Sequence, residues 1–359
     1  MINIEQKKYK DKQIICLQNS PTDKLYVLKK GKIRVVVNNE KNITQDLVAK
    51  TGHEVNVITE PNQTVGEIGM LLKRERSASL IASGEVELEE ISFSEEVNFS
   101  EIIKHNKEIG YSVLSTVILR TANITEQIYT TKKEIDELLA EYNDNFAILQ
   151  NFKTTDKKII DTLTKLKKTI KSAADPIIEN FRMYNSKISQ FQKVEPLETN
   201  VFEKNVIFFD EKSAGDYIYL QLSGKITVLC NNIPIFTSDK QNTIFCDYSI
   251  FLKNIERPKN YFAFLVNEKS KVRRIAKFTF DEMLENQPIL YSHLSKIISA
   301  LLINSDKVIT DLKKKRTILE NALAKDKENS ILKAFTIIKA ANPSQEISDK
   351  ITIFLEKYK

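Results

Sequence analysis

The chain has 359 residues, of which 42% are hydrophobic, so it can form two or three compact units with substantial cores and is not a wholly disordered protein. Its 54 basic and 48 acidic residues leave a net charge of +6, and this near balance does not indicate a nucleic-acid-binding protein. We find no secretory signal, no run of the roughly 20 apolar residues that a membrane span needs and no metal-ligand spacing among the three cysteines, so we expect a cytoplasmic protein without metal or cofactor.

The first ninety residues combine glycine with strand-like sequence, and the pattern returns later in the chain. Asp23-Lys-Leu-Tyr26 is followed by Gly31-Lys-Ile33, and Asp216-Tyr-Ile-Tyr219 is followed in the same way by Gly224-Lys-Ile226. Strands separated by glycine turns are typical of a small antiparallel barrel or jelly roll. The offset is the same for every pair (224 − 31 = 193), which predicts an internal repeat.

One segment of the first stretch, residues 65–82, carries a distinct set of polar groups. Gly66 allows a sharp turn before a short helix predicted at Glu67 to Leu72, and the free amides at the start of such a helix favour an anion. Arg76 follows, and then the small pair Ser77-Ala78 lets a ligand approach the backbone. A carboxylate accepts from a sugar hydroxyl and a guanidinium binds phosphate oxygens. The segment therefore predicts a ligand that has both a hydroxyl and a phosphate.

This segment, which we call the first cassette, closely resembles the phosphate-binding cassette of the cyclic nucleotide-binding family. The family pattern is Phe-Gly-Glu-Leu-Ala/Gly-Leu followed by Arg-Ser/Ala-Ala. The resemblance extends upstream through Ile15 to Val35 and downstream through Glu89 to Phe93. Val65 replaces the aromatic residue of the family, and Asn19 stands where the family often has glycine, but neither departure removes a polar contact.

The resemblance implies that the ligand is cyclic AMP or cyclic GMP. The residues that it assigns to ligand binding are Gly66, Glu67, Ile68, Arg76, Ser77 and Ala78. Gly66 and Glu67 would meet the ribose 2′-hydroxyl. Arg76 would pair with the cyclic phosphate, whose oxygens would also meet the amides of Ser77 and Ala78. The alternative is that Glu67 and Arg76 form an internal ion pair in a barrel that has lost its ligand.

Between about residues 99 and 192 glycine nearly disappears, and apolar residues recur with the spacing of amphipathic helices. They are Ile128, Ile135, Leu138, Tyr142, Leu149 and Phe152 in one run, and Ile170, Ala174, Ile177, Phe181, Tyr184, Ile188 and Phe191 in the next. A polar break at Lys153-Thr-Thr-Asp156 separates the runs, and Asp175-Pro176 has the form of a helix start. The pattern predicts two or three long helices. They pair either within the chain or in an intermolecular coil, with a second copy as a homodimer or with a partner protein.

In the resembled family, the helix after the barrel covers the base of the nucleotide. The matching region begins near Ile102, and aligning Glu90-Ile-Ser-Phe93 with the last strand of the family places Arg120 and Thr125 at base-facing positions. The plainer alternative is that both are polar residues on a solvated helix face.

The second stretch departs from the cassette pattern within Phe245 to Asn260, which we call the second cassette. Cys246 replaces the turn glycine, and Asp247 is one methylene shorter than glutamate. Pro258, directly after Arg257, has no amide to donate. We therefore expect a degenerate, structural copy at this position rather than a second nucleotide site.

Apolar periodicity also predicts a helix from Pro288 to about Lys325, and Asn342-Pro-Ser-Gln345 marks a break before one more small helix. The expected fold class is α+β: two cyclic-nucleotide-binding-type jelly-roll barrels joined by long amphipathic helices, with a helical C-terminus. The predicted domains are residues 1–100, 101–195, 196–286 and 287–359.

These patterns favour a non-enzymatic regulator that holds a cyclic nucleotide in the first barrel and signals through the following helices. The alternative is a ligand-independent scaffold built on the same barrels. No enzyme is expected, because the chain has no Ser-His-Asp arrangement, Walker loop or dinucleotide fingerprint. No membrane is expected as a partner, because no apolar run is long enough to span one. DNA is not expected either, since the residues from Ser305 onward contain no glycine for the turn or wing of a DNA-binding motif.

Overall fold

The computed structural model of the chain describes residues 2–38, 40, 43–93, 106–188, 192–193, 199–210, 217–252, 256, 258–276, 281–282, 288–341 and 343–358. Within them, two β-sheets are separated along the chain by two long helices, and further helices follow the second sheet. The fold is α+β, as predicted. The predicted boundaries after residues 100, 195 and 286 lie outside the described residues, as do Ile102, Asp216 and Arg257.

The first sheet contains six strands in the order β1-β6-β3-β4, with β2 paired to β6 and β5 to β3. Their bounds are β1 Ile2–Tyr9, β2 Ile14–Cys16, β3 Lys24–Val37, β4 His53–Ile58, β5 Thr64–Val65 and β6 Ser79–Phe93. All of these pairings are antiparallel. Two short helices lie between the strands, α1 at Gln45–Thr51 and α2 at Glu67–Leu72.

Strand β3 is apolar on both faces because each face meets a different core. Tyr26 and Leu28 belong to the cluster inside the first sheet, whereas Leu25 and Val27 belong to the core that includes the helices. At Gly31 the backbone has φ +97°, and a Cβ would lie 2.3 Å from the carbonyl oxygen of Glu85. Only glycine therefore allows β3 to pass this close to β6.

The second sheet has the order β11-β10-β13-β9-β7, with β12 paired to β10 and β8 to β13. Its strands are β7 Gln192–Lys193, β8 Thr199–Phe202, β9 Val206–Phe209, β10 Tyr217–Cys230, β11 Ile233–Ser238, β12 Ile244–Cys246 and β13 Phe262–Ala276, with a 3-10 turn at Tyr248–Phe251. The pairing is antiparallel except between β7 and β9.

The central strand pair has the same layout in both sheets. Strand β10 begins and ends 193 residues after β3 (217 − 24 = 193), and Gly224 has a φ of +90° where Gly31 has +97°. The 15-residue β13 pairs with β10 as the 15-residue β6 pairs with β3. The position of the second long strand thus follows the sequence pattern, and the closure of either sheet as a jelly roll stays a prediction.

The long helices are α3 at Lys107–Asn151, α4 at Lys157–Ile188 and α5 at Pro288–Glu320, which continues as a π-helical turn at Asn321–Lys325. Two shorter helices follow, α6 at Ile331–Ala340 and α7 at Gln345–Lys357, of which α6 is not predicted from the sequence. The predicted polar break separates α3 from α4, and Asp156 Oδ1 accepts a hydrogen bond of 2.8 Å from the Lys158 amide at the start of α4. Among the described residues, no helix is both long enough and apolar enough to span a membrane.

The helix start predicted at Asp175-Pro176 is wrong, because α4 continues through Pro176 without interruption. The apolar stripe of α4 spans this point, with Ala174 and Ile177 both buried on either side of the proline. Burial of a continuous apolar face therefore outweighs the loss of one backbone hydrogen bond.

Helix α3 packs chiefly along α5 and only marginally against α4. Tyr291 Oη donates to the carbonyl of Gly110, and Arg316 Nη1 lies 2.6 Å from Glu134 Oε2. Because both contacts advance in the same direction along the two helices, α3 and α5 run parallel. The apolar stripe of α3 is therefore covered within the chain, by a helix that follows the second sheet.

Candidate functional site

The first cassette has the local structure that the sequence predicts. Strand β5 pairs Val65 with Tyr26 of β3, and Gly66 then takes a left-handed conformation with φ +91° as the residue before α2. A Cβ at Gly66 would lie 2.0 Å from Arg76 Nη1. Glycine is needed here for its backbone conformation and for the room that it leaves to the guanidinium.

The Arg76 side chain is 4% exposed and lies inside the first sheet. Its Nη2 donates to the carbonyl of Lys24, its Nη1 donates to the carbonyl of Gly66 at 3.4 Å, and its Cζ lies 5.2 Å from the centre of the Tyr26 ring. Arg76 Nε is buried without a hydrogen-bond acceptor among the described residues. No carboxylate in the described part of the chain pairs with this guanidinium, so its charge is met only by carbonyl dipoles and a ring face.

Glu67 is paired with Arg120 and not with Arg76. The Glu67 side chain is 1% exposed, and its Oε1 lies 2.8 Å from Nη1 of Arg120, whose own side chain is 46% exposed. The internal Glu67–Arg76 ion pair, considered above as the alternative to a ligand site, is therefore not formed. Arg120 therefore contacts the first cassette through Glu67, and its position near a nucleotide base stays a prediction.

Thr125 does not lie at the first cassette, which corrects the expectation from the resemblance. Its hydroxyl donates to the Ala122 carbonyl at 2.9 Å, and its own carbonyl accepts from Cys230 Sγ of the second sheet at 3.5 Å. Because α-helical residues advance by about 100° each, positions 120 and 125 lie on different sides of α3. The helix therefore directs Arg120 to the first sheet and Thr125 to the second.

The remaining cassette residues have different surroundings. Ser77 is exposed and Ala78 is half-buried, next to the buried Arg76. Ile68 is half-buried and packs on the core that includes the helices rather than inside the first sheet. The side chain of Ile68 thus fixes α2 to the helices, and only its backbone is available for a ligand in the first sheet.

A buried carboxylate inside the first sheet was missed by the sequence analysis. Glu90 is 2% exposed, its Oε2 lies 2.8 Å from Lys24 Nζ and 3.3 Å from Lys7 Nζ, and its Oε1 accepts from Tyr9 Oη. Burial alone would raise the pKa of Glu90, but the hydrogen bonds from Lys24 and Tyr9 outweigh it and hold that pKa below its usual range. The signal in the sequence is a charged residue two positions after Leu88, at an inward-facing position of a strand.

The Glu90 network reaches the first cassette through Lys24. The ammonium group of Lys24 is bound by Glu90, and the carbonyl of the same residue accepts from Arg76. Tyr26, beneath the Arg76 guanidinium, is directly paired with Glu90 across β3 and β6. Glu90 therefore helps to fix the strand on which Arg76 rests.

The second cassette has the same position on its sheet and different chemistry. Phe245 pairs with Tyr219 as Val65 pairs with Tyr26, so Cys246 and Asp247 stand at the positions of Gly66 and Glu67. Asp247 Oδ1 accepts from the amide and hydroxyl of Ser249 at 3.0 and 2.7 Å and so caps the 3-10 turn. Cys246 is fully buried, and burial raises the pKa of its thiol well above the usual range.

One described cleft has Arg120 in its wall. It has a volume of about 840 Å³ between the outer face of the first sheet and α3, and Lys29, Gln63, Ser112 and Arg120 are among its lining residues. Glu67 and Arg76 do not line it. Size alone would favour this cleft as a ligand site, but the buried charges of the cassette lie elsewhere.

One family model matches part of the chain. Residues 6–105 match the family model described as the cyclic nucleotide-binding domain, and the match covers the first sheet and not the second. A search of curated proteins finds no match. The family match thus applies to the part of the chain that carries Gly66, Glu67 and Arg76.

Solved structures show only a general likeness. Cyclic-AMP-bound PfPKA-R aligns with 86% of this chain and 81% of its own at 14% identity and a TM-score of 0.25. The regulatory domain of Toxoplasma gondii PKA with cyclic AMP aligns with 82% of this chain and 84% of its own at 11% identity and 0.23. The EAL enzyme Bd1971 aligns with 29% of this chain and 78% of its own at 17% identity and 0.23.

Proposed function

We propose that the first sheet and its cassette bind a cyclic mononucleotide, cyclic AMP or cyclic GMP, and that the protein is a non-enzymatic regulator. The observation that carries this proposal is the Arg76 guanidinium, which is buried inside a matched cyclic nucleotide-binding domain without a described carboxylate partner. A buried charge requires a counter-charge or full hydrogen bonding. The cyclic phosphate supplies that charge and replaces carbonyl acceptors with stronger, charge-assisted bonds.

In this proposal each cassette residue has one role. Gly66 and one Glu67 oxygen meet the ribose 2′-hydroxyl, and the Ser77 and Ala78 amides meet the phosphate together with Arg76. Arg120 already occupies Glu67 Oε1, so Oε2 is the oxygen left for the ribose. Arg120 thereby pairs with the buried Glu67 carboxylate and fixes its orientation, whether or not it also reaches the base.

Calorimetric titration of the purified protein with cyclic AMP, cyclic GMP and a cyclic dinucleotide tests this function. Losing one partner of a buried charge pair costs about 2–5 kcal/mol, so Arg76→Ala should weaken binding of the preferred mononucleotide at least roughly thirtyfold. Arg74→Ala is the matched control, since Arg74 lies on the same loop with an exposed side chain. Absence of binding by the wild type, or equal affinity in Arg76→Ala, would contradict the assignment.

The second sheet is proposed to bind no nucleotide. Asp247 is engaged in capping its own turn, Cys246 stands in place of the turn glycine, and Pro258 has no amide to donate. The same titration should therefore give one nucleotide per chain. A stoichiometry of two, with one site surviving Arg76→Ala, would show that the second cassette is a site as well.

A further inference from the structure

Helix α3 packs against the second cassette. Thr121 and Thr125 of α3 lie against Asp247–Ser249 and Pro258–Phe262. The first of these segments is in the turn of the second cassette, and the second leads from the cassette into β13. The cavity left between them is about 20 Å³, room for little more than one water molecule. In the second sheet, a helix of the same chain therefore covers residues that correspond to the ligand-binding cassette proposed for the first sheet.

Specific contacts hold α3 in this position. Cys230 Sγ lies 3.5 Å from the Thr125 carbonyl, and Asn231 Nδ2 donates to the Tyr129 carbonyl at 3.4 Å. The rings of Tyr129 and Tyr261 have centres 5.0 Å apart, and Lys259 Nζ lies 5.4 Å and 5.2 Å from those two centres. Aromatic and cation–π contacts of this kind add to simple burial, and they involve Lys259 of the second cassette and Tyr261 directly after it.

The same helix also contacts the first sheet and its cassette, from positions before Thr121. Ser112 Oγ donates to the Asn62 carbonyl at 2.6 Å, and Arg120 binds Glu67. No break separates these contacts from Tyr129, since α3 is continuous from Lys107 to Asn151. The position of α3 on the second sheet therefore determines whether Arg120 can reach Glu67.

We propose that the second cassette is a receptor for α3, and that docking of α3 there prepares the first cassette for nucleotide. The coupling part rests on the proposed function of the first cassette, whereas the docking part does not. With α3 docked, Arg120 pairs with the carboxylate of Glu67 and holds it in place. With α3 released, Glu67 is a buried carboxylate without its cation, and ribose binding weakens. By linkage, nucleotide bound at the first cassette favours the docked state by the same factor.

Thiol labelling reports docking without any nucleotide. Cys230 and Cys246 are fully buried, and Cys230 contacts α3 directly, so its modification by a thiol reagent requires release of the helix. In a Cys16→Ala background, Tyr129→Ala should raise the labelling rate of Cys230, identified by peptide mass spectrometry, about tenfold or more. Thr130→Ala, at the next and exposed position, should leave the rate unchanged, and Tyr129→Phe, which keeps the ring, should restore slow labelling. Thermal unfolding of each variant shows whether the fold is retained.

Calorimetry then tests the coupling. Tyr129→Ala should lower the affinity for cyclic AMP or cyclic GMP about tenfold, and it should have no further effect in an Arg120→Ala background. Unchanged labelling of Cys230 in folded Tyr129→Ala, or faster labelling with unchanged nucleotide affinity, would overturn the proposal. If the wild type binds no nucleotide, the proposed function fails, and the labelling rates still decide whether the second cassette holds α3.

Discussion

At the scale of single residues, Gly66 meets two separate demands. Its φ of +91° is strained for any other residue, and a Cβ would lie 2.0 Å from Arg76 Nη1. Gly66→Ala should therefore lower the free energy of unfolding by about 1–3 kcal/mol and also displace the guanidinium. Gly84→Ala is the matched control, because Gly84 has a φ of +74° and no atom within 4 Å of its Cβ position. Urea unfolding should show a loss for both variants that is larger for Gly66→Ala, while calorimetry should show lost nucleotide binding for Gly66→Ala alone.

Glu90 makes the free energy of unfolding depend on pH in the acid range. Its pKa is lowered in the folded state, so the stability that it contributes is present above the unfolded pKa of about 4.3 and is lost as the pH falls through the lower folded value. Glu90→Gln should be less stable than the wild type at pH 7, and the difference should shrink as the pH falls below about 4.3. Urea unfolding of both proteins at pH 7 and pH 3.5 measures this. A difference that stays constant over this range would show that the charge of Glu90 does not matter.

At the scale of elements, Pro176 distinguishes a continuous α4 from two helices. Pro176 is exposed and lies inside α4, where proline is about 3 kcal/mol less favourable than alanine. Pro176→Ala should therefore raise the melting temperature, with exposed Lys171→Ala as a control for a surface change in the same helix. If a separate helix began at this residue, proline would be favoured at its first position, and Pro176→Ala would give no gain.

At the scale of the whole molecule, α3 should respond to ligand along its length. A nucleotide that favours the docked state lowers the population in which α3 opens, because it binds that state more tightly. Hydrogen exchange with and without nucleotide should show added protection in residues 67–76 and also in residues about 110–150. Protection confined to the cassette would mean that ligand binds there and that α3 does not transmit it.

The sequence predicts the cassette well because its information is local. The glycine turn and the six-residue helix follow from neighbouring residues, and the polar break before α4 does as well, whereas the burial of Arg76 was not predicted. The partner of α3 depends on which distant apolar stripe fits it, and periodicity alone does not identify α5. The prediction that Thr125 lies at the first cassette was wrong because the alignment counted residues along the chain only. The helical geometry of α3 places Thr125 beside Cys230 of the second sheet.

The packing of α3 against the parallel helix α5 also affects the chain during its synthesis. Its contacts join residues far apart in sequence, with 182 positions between Glu134 and Arg316 and 181 between Gly110 and Tyr291. At about 5–20 residues per second, a ribosome needs roughly 10–40 s to synthesise that interval. During this time the stripe of α3 that contains Ile128 and Ile135 is synthesised without the helix that covers it. The nascent chain is therefore exposed to aggregation until α5 emerges, and a product that ends before Pro288 would keep that exposed surface permanently.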